Sequence, residues 1–251
     1  MIGITFALPS ESSELVRRLQ ARQRHDNLLS GKIDPPSPRL RRAGNHEGVG
    51  TREAVWSRDV IILHTGVGAK NCNEQLEILL HKTRPQLVIS SGFAGAVTDQ
   101  LQVGDLILAE NFSDSQLLAT AARILRDRQP RTVKLFTSTS IIDSAAERNE
   151  IARASGALAV DMETGAIANV CQAHGVPLIS LRIISDTPSQ PFPAPLSVLF
   201  DLERQRTNYG RLLSYIFRHP AAGWRLCRFA GQIARIRTNL TEAIVALVQA
   251  L

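Results

Sequence analysis

The chain of 251 residues is long enough for one large core, with at most one appended element. Hydrophobic residues at 44% and charged residues at 21% are ordinary for a globular protein, and no apolar run reaches the roughly 18–20 residues that cross a bilayer. The net charge of +6 would point to nucleic acid, but Arg204, Arg206, Arg211, Arg218, Arg225, Arg228, Arg235 and Arg237 follow one another with no acid up to Thr241, and without them the remainder is net acidic.

The elements follow in chain order. Ile2–Leu8 is strand-like and apolar from the start, so a removed leader peptide is not expected. Ser10 to about Gln20 reads as a helix capped by Ser10. Residues 21–46 are basic, Pro-rich and Gly-containing, an irregular excursion with strand ends at most. Val60–His64 is a compact apolar strand running into Thr65-Gly66-Val67-Gly68, then a helix from about Ala69 to Lys82. Gln86–Ser91 is a buried strand breaking at Ser91-Gly92-Phe93-Ala94-Gly95. Leu106–Glu110, Val133–Phe136 and Leu158–Val160 add strands, Thr164–His174 is helical, and Pro177–Ile184 is an Ile/Leu-rich strand. Residues 187–195 form a Pro-rich loop, and two helices divided near His219-Pro220 should follow. Strands alternating with helices imply an α/β fold around a parallel or mixed sheet. The three cysteines, Cys72, Cys171 and Cys227, form no C-x-x-C pair. Each suits a buried apolar place in a helix, with a reducing cytoplasm as the setting, and neither a metal nor a cofactor is implied.

Three carboxylates stand at strand ends, where α/β sheets bind ligands. Glu11 follows the first strand, Glu163 lies where a strand turns into a helix, and Asp186 ends the most apolar strand. Each also has a structural reading, because a first-turn Glu complements the helix dipole and an Asp after a strand is a common turn residue. The turns at Gly66-Val67-Gly68 and Ser91–Gly95 could bring backbone N–H groups to a ligand, but neither is G-x-G-x-x-G or a P-loop. His64 and His174 read as cap or core residues.

Taken together and in order, Gly66-Val67-Gly68, Ser91-Gly92-Phe93-Ala94-Gly95-Ala96, Val103-Gly104-Asp105, Val160-Asp161-Met162-Glu163-Thr164-Gly165-Ala166 and Arg182-Ile183-Ile184-Ser185-Asp186 resemble the purine and uridine phosphorylase superfamily. Within it they are most similar to the methylthioadenosine/S-adenosylhomocysteine nucleosidase branch, over about residues 1–186. The resemblance implies a three-layer α/β/α fold with a mixed, partly closed β-sheet, an oligomer such as a homodimer, and cleavage of an N-glycosidic bond in an adenine-type nucleoside. It places the water-activating glutamate on Glu11, the ribose-binding glutamate on Glu163 with Met162 beside the sugar, and the acid that protonates the leaving purine on Asp186, paired with Ser185. Arg182 matches an arginine near the water and the glutamates. Ser91, Gly92 and Phe93 fall in the loop lining that site, and Gly66 in the first glycine turn.

The chemistry agrees with these roles. Glycosidic cleavage passes through an oxocarbenium-like transition state, which a nearby carboxylate stabilises. The base leaves poorly as an anion and needs an acid, so one carboxyl must carry a proton while another is ionised; Asp186 is expected to be the protonated one in the complex. Phosphorolytic relatives carry a Gly-Asp-Pro-x-Arg loop near the first strand, where this chain has Ala7-Leu8-Pro9-Ser10-Glu11. A glutamate beside the nucleophile suits water and repels phosphate, so hydrolysis is expected. Thr65 and Arg182 could still serve phosphate, which keeps phosphorolysis as the alternative.

Two regions depart from the nucleosidase pattern. Thr137-Ser138-Thr139-Ser140 replaces the usual Ser-Gly-Asp segment near the base. Residues 201–251 form a basic helical extension beyond a catalytic domain of residues 1–200, and they resemble the C-terminal region of hopanoid-associated nucleosidases/phosphorylases, which act on adenosylated lipids. Leu212, Tyr215, Ile216, Trp224, Leu226, Phe229 and Ile233 among arginines suit either a peripheral contact with an anionic inner-membrane surface or a face covering the core or a subunit interface. A non-enzymatic nucleoside- or nucleic-acid-binding module is the competing class. Its support is the basic tail alone, since aromatics are only 5% and no nucleic-acid-reading motif is present.

Overall fold

The computed structural model describes residues 1–34, 57–142, 144–193 and 220–251. Ten strands form one mixed sheet: β1 (Ile2–Phe6), β2 (Gln20–His25), β3 (Leu28–Ile33), β4 (Arg58–His64), β5 (Leu87–Ala96), β6 (Leu106–Ala109), β7 (Arg131–Val133), β8 (Leu135–Thr137), β9 (Ala159–Asp161) and β10 (Leu178–Asp186). The main order is β2-β3-β4-β1-β5-β10-β6-β7. β4, β1, β5 and β10 run parallel at the centre, so their carboxyl ends open on one side. There β5 outruns the central ladder and pairs its last residues, Gly95 and Ala96, with β9, which carries β8. Among the described residues the sheet forks in this way and closes no ring, and β2, β7 and β8 are its edges.

The central strands are largely apolar and buried because helices cover both faces, apart from polar residues such as Ser90, Arg182 and Asp186. α1 (Pro9–Arg18), α3 (Ser115–Ile124) and α6 (Pro220–Ala250) lie on one side; α2 (Ala69–Thr83) and α5 (Thr164–Ala173) lie on the other. α4 (Ala145–Ser155) precedes β9. The second half of α6 is part of the core: Ile236, Leu240, Ala243, Ile244, Leu247 and Val248 are buried against β1, β10 and α1 residues. Its first half is more exposed, with Trp224 71% exposed, although Phe229 meets Phe192 edge-on at 5.3 Å. That explains why Cys227 is exposed, contrary to expectation, whereas Cys72 and Cys171 are buried. Leu212, Tyr215 and Ile216 lie outside the described residues, as does the expected helix before Pro220. No helix among the described residues is long and apolar enough to cross a membrane.

Several local readings change. The first helix starts at Pro9, not after a Ser10 cap. A residue before proline is held extended, and Leu8 has φ −126° and ψ 146°. Of the irregular excursion expected at 21–46, residues up to 33 belong to a β-hairpin of β2 and β3, and residues 35–46 lie outside the described residues. β2 is wholly exposed, so it shows no apolar alternation; its charged residues suit a protected sheet edge. The strand at 86–91 runs on through the glycines to Ala96, because β10 pairs with it as far as Gly95. The run at 133–136 is two strands, with β7 on β6 and β8 on β9.

Candidate active site

α1 begins where β1 ends, so Glu11 sits at the carboxyl edge of the central sheet. It occupies the first turn, and its Oε2 accepts the Leu8 backbone N–H at 3.0 Å. That is a helix-capping role, added to the favourable place that the helix dipole gives a first-turn glutamate. Its other oxygen does something a cap does not require: Oε1 accepts the Phe93 N–H from β5 at 3.2 Å. Gly92 makes this approach feasible. Its φ is +151°, and a Cβ there would stand 3.1 Å from Glu11 Oε1. Burial pushes the Glu11 carboxyl above the usual range, against the lowering effect of the Leu8 and Phe93 N–H groups and of Arg182.

Glu163 is the residue at which the chain turns from β9 into α5. Its Oε1 accepts the Gly68 N–H at 3.2 Å, from the glycine turn after β4. Burial, then the negative charges of Asp161 and Glu11, push its carboxyl up to about 8, although Arg182 and the Gly68 N–H pull it down. Asp161, two residues earlier, faces a buried polar cluster. It accepts from Thr137 Oγ1 at 3.0 Å, from the Thr164 hydroxyl and from Arg182 Nε at 3.0 Å. Arg182 also donates to Ser90 Oγ at 2.8 Å and Thr164 Oγ1 at 2.7 Å. Its guanidinium is thus held in place by fixed neighbours.

Asp186 ends β10 and is buried. Its Oδ1 accepts from Ser185 Oγ at 2.7 Å, and its Oδ2 accepts from Arg148 on α4 at 2.5 Å. Gly95 lets the carboxyl lie against β5, since a Cβ there would be 3.2 Å from Oδ2 and 3.3 Å from Oδ1.

These side chains meet. A cavity of about 280 Å³ is lined by Glu11, Glu163 and Asp186 together with Phe93, Met162 and Ser185, close to the low end of small-molecule sites, roughly 300–1,000 Å³. Leu8, Val67, Ile141, Ile142 and Phe192 make much of the remaining wall apolar. Beneath it a chamber of about 10 Å³ is lined by Thr5, Glu11, Ser91, Gly92, Glu163 and Arg182. The buried hydroxyls of Thr5 and Ser91 find no hydrogen-bond partner among the described residues.

Gly66 lines neither space. Its φ of 75° shapes the turn, and the neighbouring Val67 reaches the cavity instead. The Thr65 hydroxyl is turned to backbone oxygens, Gly66 O at 3.0 Å and Phe6 O at 3.3 Å. His64 holds Ser12 Oγ at 2.7 Å, and burial lowers its pKa. Among the described residues no group of three or more His, Cys, Asp or Glu is placed to hold a metal. Sequence reasoning missed Arg148 and Asp161. The first sits in Glu147-Arg148-Asn149-Glu150, a charged stretch that carries no motif, and the second stands two residues before Glu163 in the same motif.

A family model described as the Phosphorylase superfamily matches residues 2–129 and 112–218. A 5'-methylthioadenosine/S-adenosylhomocysteine nucleosidase of Staphylococcus aureus is 28% identical over 157 residues, 51% of this chain and 69% of that protein. Among solved structures, S-adenosylhomocysteine nucleosidase from Streptococcus pyogenes, in complex with 5-methylthiotubericidin, superposes with a TM-score of 0.67 at 20% identity, covering 100% of this chain and 96% of the other. Futalosine hydrolase of Helicobacter pylori gives 0.67 at 15% identity, covering 100% and 97%. At such identities these two likenesses speak for the shared fold.

Proposed function

Because the chain belongs to the Phosphorylase superfamily, we propose that it is a purine nucleosidase, hydrolysing the N-glycosidic bond of an adenine-type nucleoside to free the base. Glu11 takes a proton from water as the water adds to the anomeric carbon. Glu163 holds the ribose hydroxyls with Met162 packed beside the sugar, and Asp186 gives its proton to the imidazole-ring nitrogen of the base as the C–N bond breaks. The proton on Glu11 returns to solvent and Asp186 is reprotonated from it, so the net change is addition of one water across the bond. The 5′ substituent is of the kind carried by methylthioadenosine or S-adenosylhomocysteine, in keeping with the relatives' names and with the apolar wall of Leu8, Val67, Ile141, Ile142 and Phe192.

The observation that carries hydrolysis over phosphorolysis is the 10 Å³ chamber. A water needs about 10–15 Å³ of this kind of space and two to four polar partners, and Thr5, Ser91 and Glu11 supply them. A phosphate ion does not fit, and the nearby guanidinium of Arg182 is already engaged by Asp161, Ser90 and Thr164. The test is to incubate the protein with purine nucleosides differing at the 5′ carbon and to follow free base by chromatography. Release of adenine from methylthioadenosine or S-adenosylhomocysteine supports the reading; no release across the panel, lipid-linked nucleosides included, refutes it.

A further inference from the structure

We propose that Arg148 is a positioning residue for Asp186: it fixes the carboxyl group for proton delivery to the leaving base and stabilises the negative charge that appears there as the proton departs. The proposal rests on the nucleosidase reading above. Arg148 reaches the site from α4, a helix outside the motifs that mark the other site residues. It is buried and lines the same 280 Å³ cavity as Asp186. One terminal nitrogen donates to Ala96 O at 2.6 Å, at the end of β5. The other donates to Asp186 Oδ2 at 2.5 Å and reaches Ile142 O at 3.4 Å, in the segment leading into α4. The guanidinium is therefore tied to the sheet and to the cavity wall, and it offers the acid a fixed donor. Ser185 Oγ holds the second oxygen at 2.7 Å, which leaves the carboxyl little rotational freedom.

The other charges around the cavity make this contact decisive. Glu11 faces it from α1, Asp161 from β9 and Glu163 from the start of α5, all acids. Arg182 on β10 is committed to Asp161. Among the described residues Arg148 is the cation bound to Asp186. A buried ion pair is weak evidence for stability, but at a cavity wall it has a chemical consequence. When Asp186 passes its proton to the ring nitrogen of the base and the C–N bond breaks, the carboxylate left behind is met by a guanidinium already in place. Stabilisation that grows as charge develops lowers the barrier.

The experiment compares wild type, Arg148→Met and Arg148→Lys on two substrates. One is a purine nucleoside, whose base must be protonated to leave; the other is a nitrophenyl riboside, whose leaving group departs without a proton. Arg148→Met is expected to lose roughly 100-fold or more in kcat on the purine nucleoside, within the range for general-acid help, with KM changed much less. On the nitrophenyl riboside its rate stays within about threefold of wild type, because no proton has to be delivered there. Arg148→Lys restores most of the rate on the purine nucleoside. Equal losses on both substrates would mean a merely structural role and overturn the proposal, as would an unchanged purine rate. If Arg148→Met does not fold, Arg148→Gln, which keeps a donor without the charge, carries the same comparison. Wild-type protein that releases no base from any nucleoside overturns the nucleosidase reading, and this proposal with it; base release with no leaving-group dependence overturns this proposal alone.

Discussion

Replacing Glu163 with Gln removes a titrating group and keeps an oxygen that can accept the Gly68 N–H. In the folded protein the Glu163 carboxyl is pushed up to about 8 from an ordinary 4.5. Between those pH values the folded chain holds a proton that the unfolded chain has released, so unfolding expels it. The stability contribution is complete below the unfolded value and is lost as pH rises through the folded one. One proton sets a slope of about 1.4 kcal/mol per pH unit, so wild type should lose up to about 3 kcal/mol relative to Glu163→Gln between pH 5.5 and 8. Urea unfolding followed by circular dichroism at half-unit steps measures it. The variant should match wild type near pH 5 and exceed it increasingly toward pH 8. Parallel curves would refute the reasoning, since they would mean that burial and the charges of Asp161 and Glu11 do not hold the proton on Glu163.

Glu11→Gln should fold with a loss of about 1 kcal/mol, one weakened hydrogen bond, while base release falls about 100- to 10,000-fold; chemical denaturation and a base-release assay separate the two. Gly95→Ala places a methyl 3.2 Å from Asp186 Oδ2, so kcat on a purine nucleoside should fall at least tenfold, with Tm lowered only a few degrees. Leu247→Ala, at a fully buried position of α6, should cost about 2–5 kcal/mol, which urea titration would register; a neutral outcome would mean that α6 is not part of the core.

The sheet and its ligand side were legible because β1, β4, β5 and β10 are largely apolar runs, and the three carboxylates were legible because Glu11 comes shortly after β1, Glu163 shortly after β9, and Asp186 closes β10. Where the signal failed, the cause was physical. β2 is a polar edge strand whose residues never alternate in burial. Gly92 and Gly95 read as a break, yet they serve to let Glu11 and Asp186 lie against a continuing strand. α4 is hard to read, although Ser144 caps it with a side-chain acceptor, because Ile151 is its one large apolar residue; α3 is missed despite its Asp114 cap and its leucines. Arg148 could not be recognised from its neighbours at all, since its meaning depends on Asp186, 38 positions away. Asp161 looked secondary to Glu163 until its bonds to Arg182 and Thr164 were placed.

The most direct measurement is the rate of base release as inorganic phosphate is raised from zero to tens of millimolar, with the sugar product identified. Full activity in phosphate-free buffer, with a free reducing sugar formed in step with the base, is the predicted result. Release that begins only when phosphate is added, with a sugar 1-phosphate as product, would contradict the assignment of a single water to the chamber between Glu11 and Arg182.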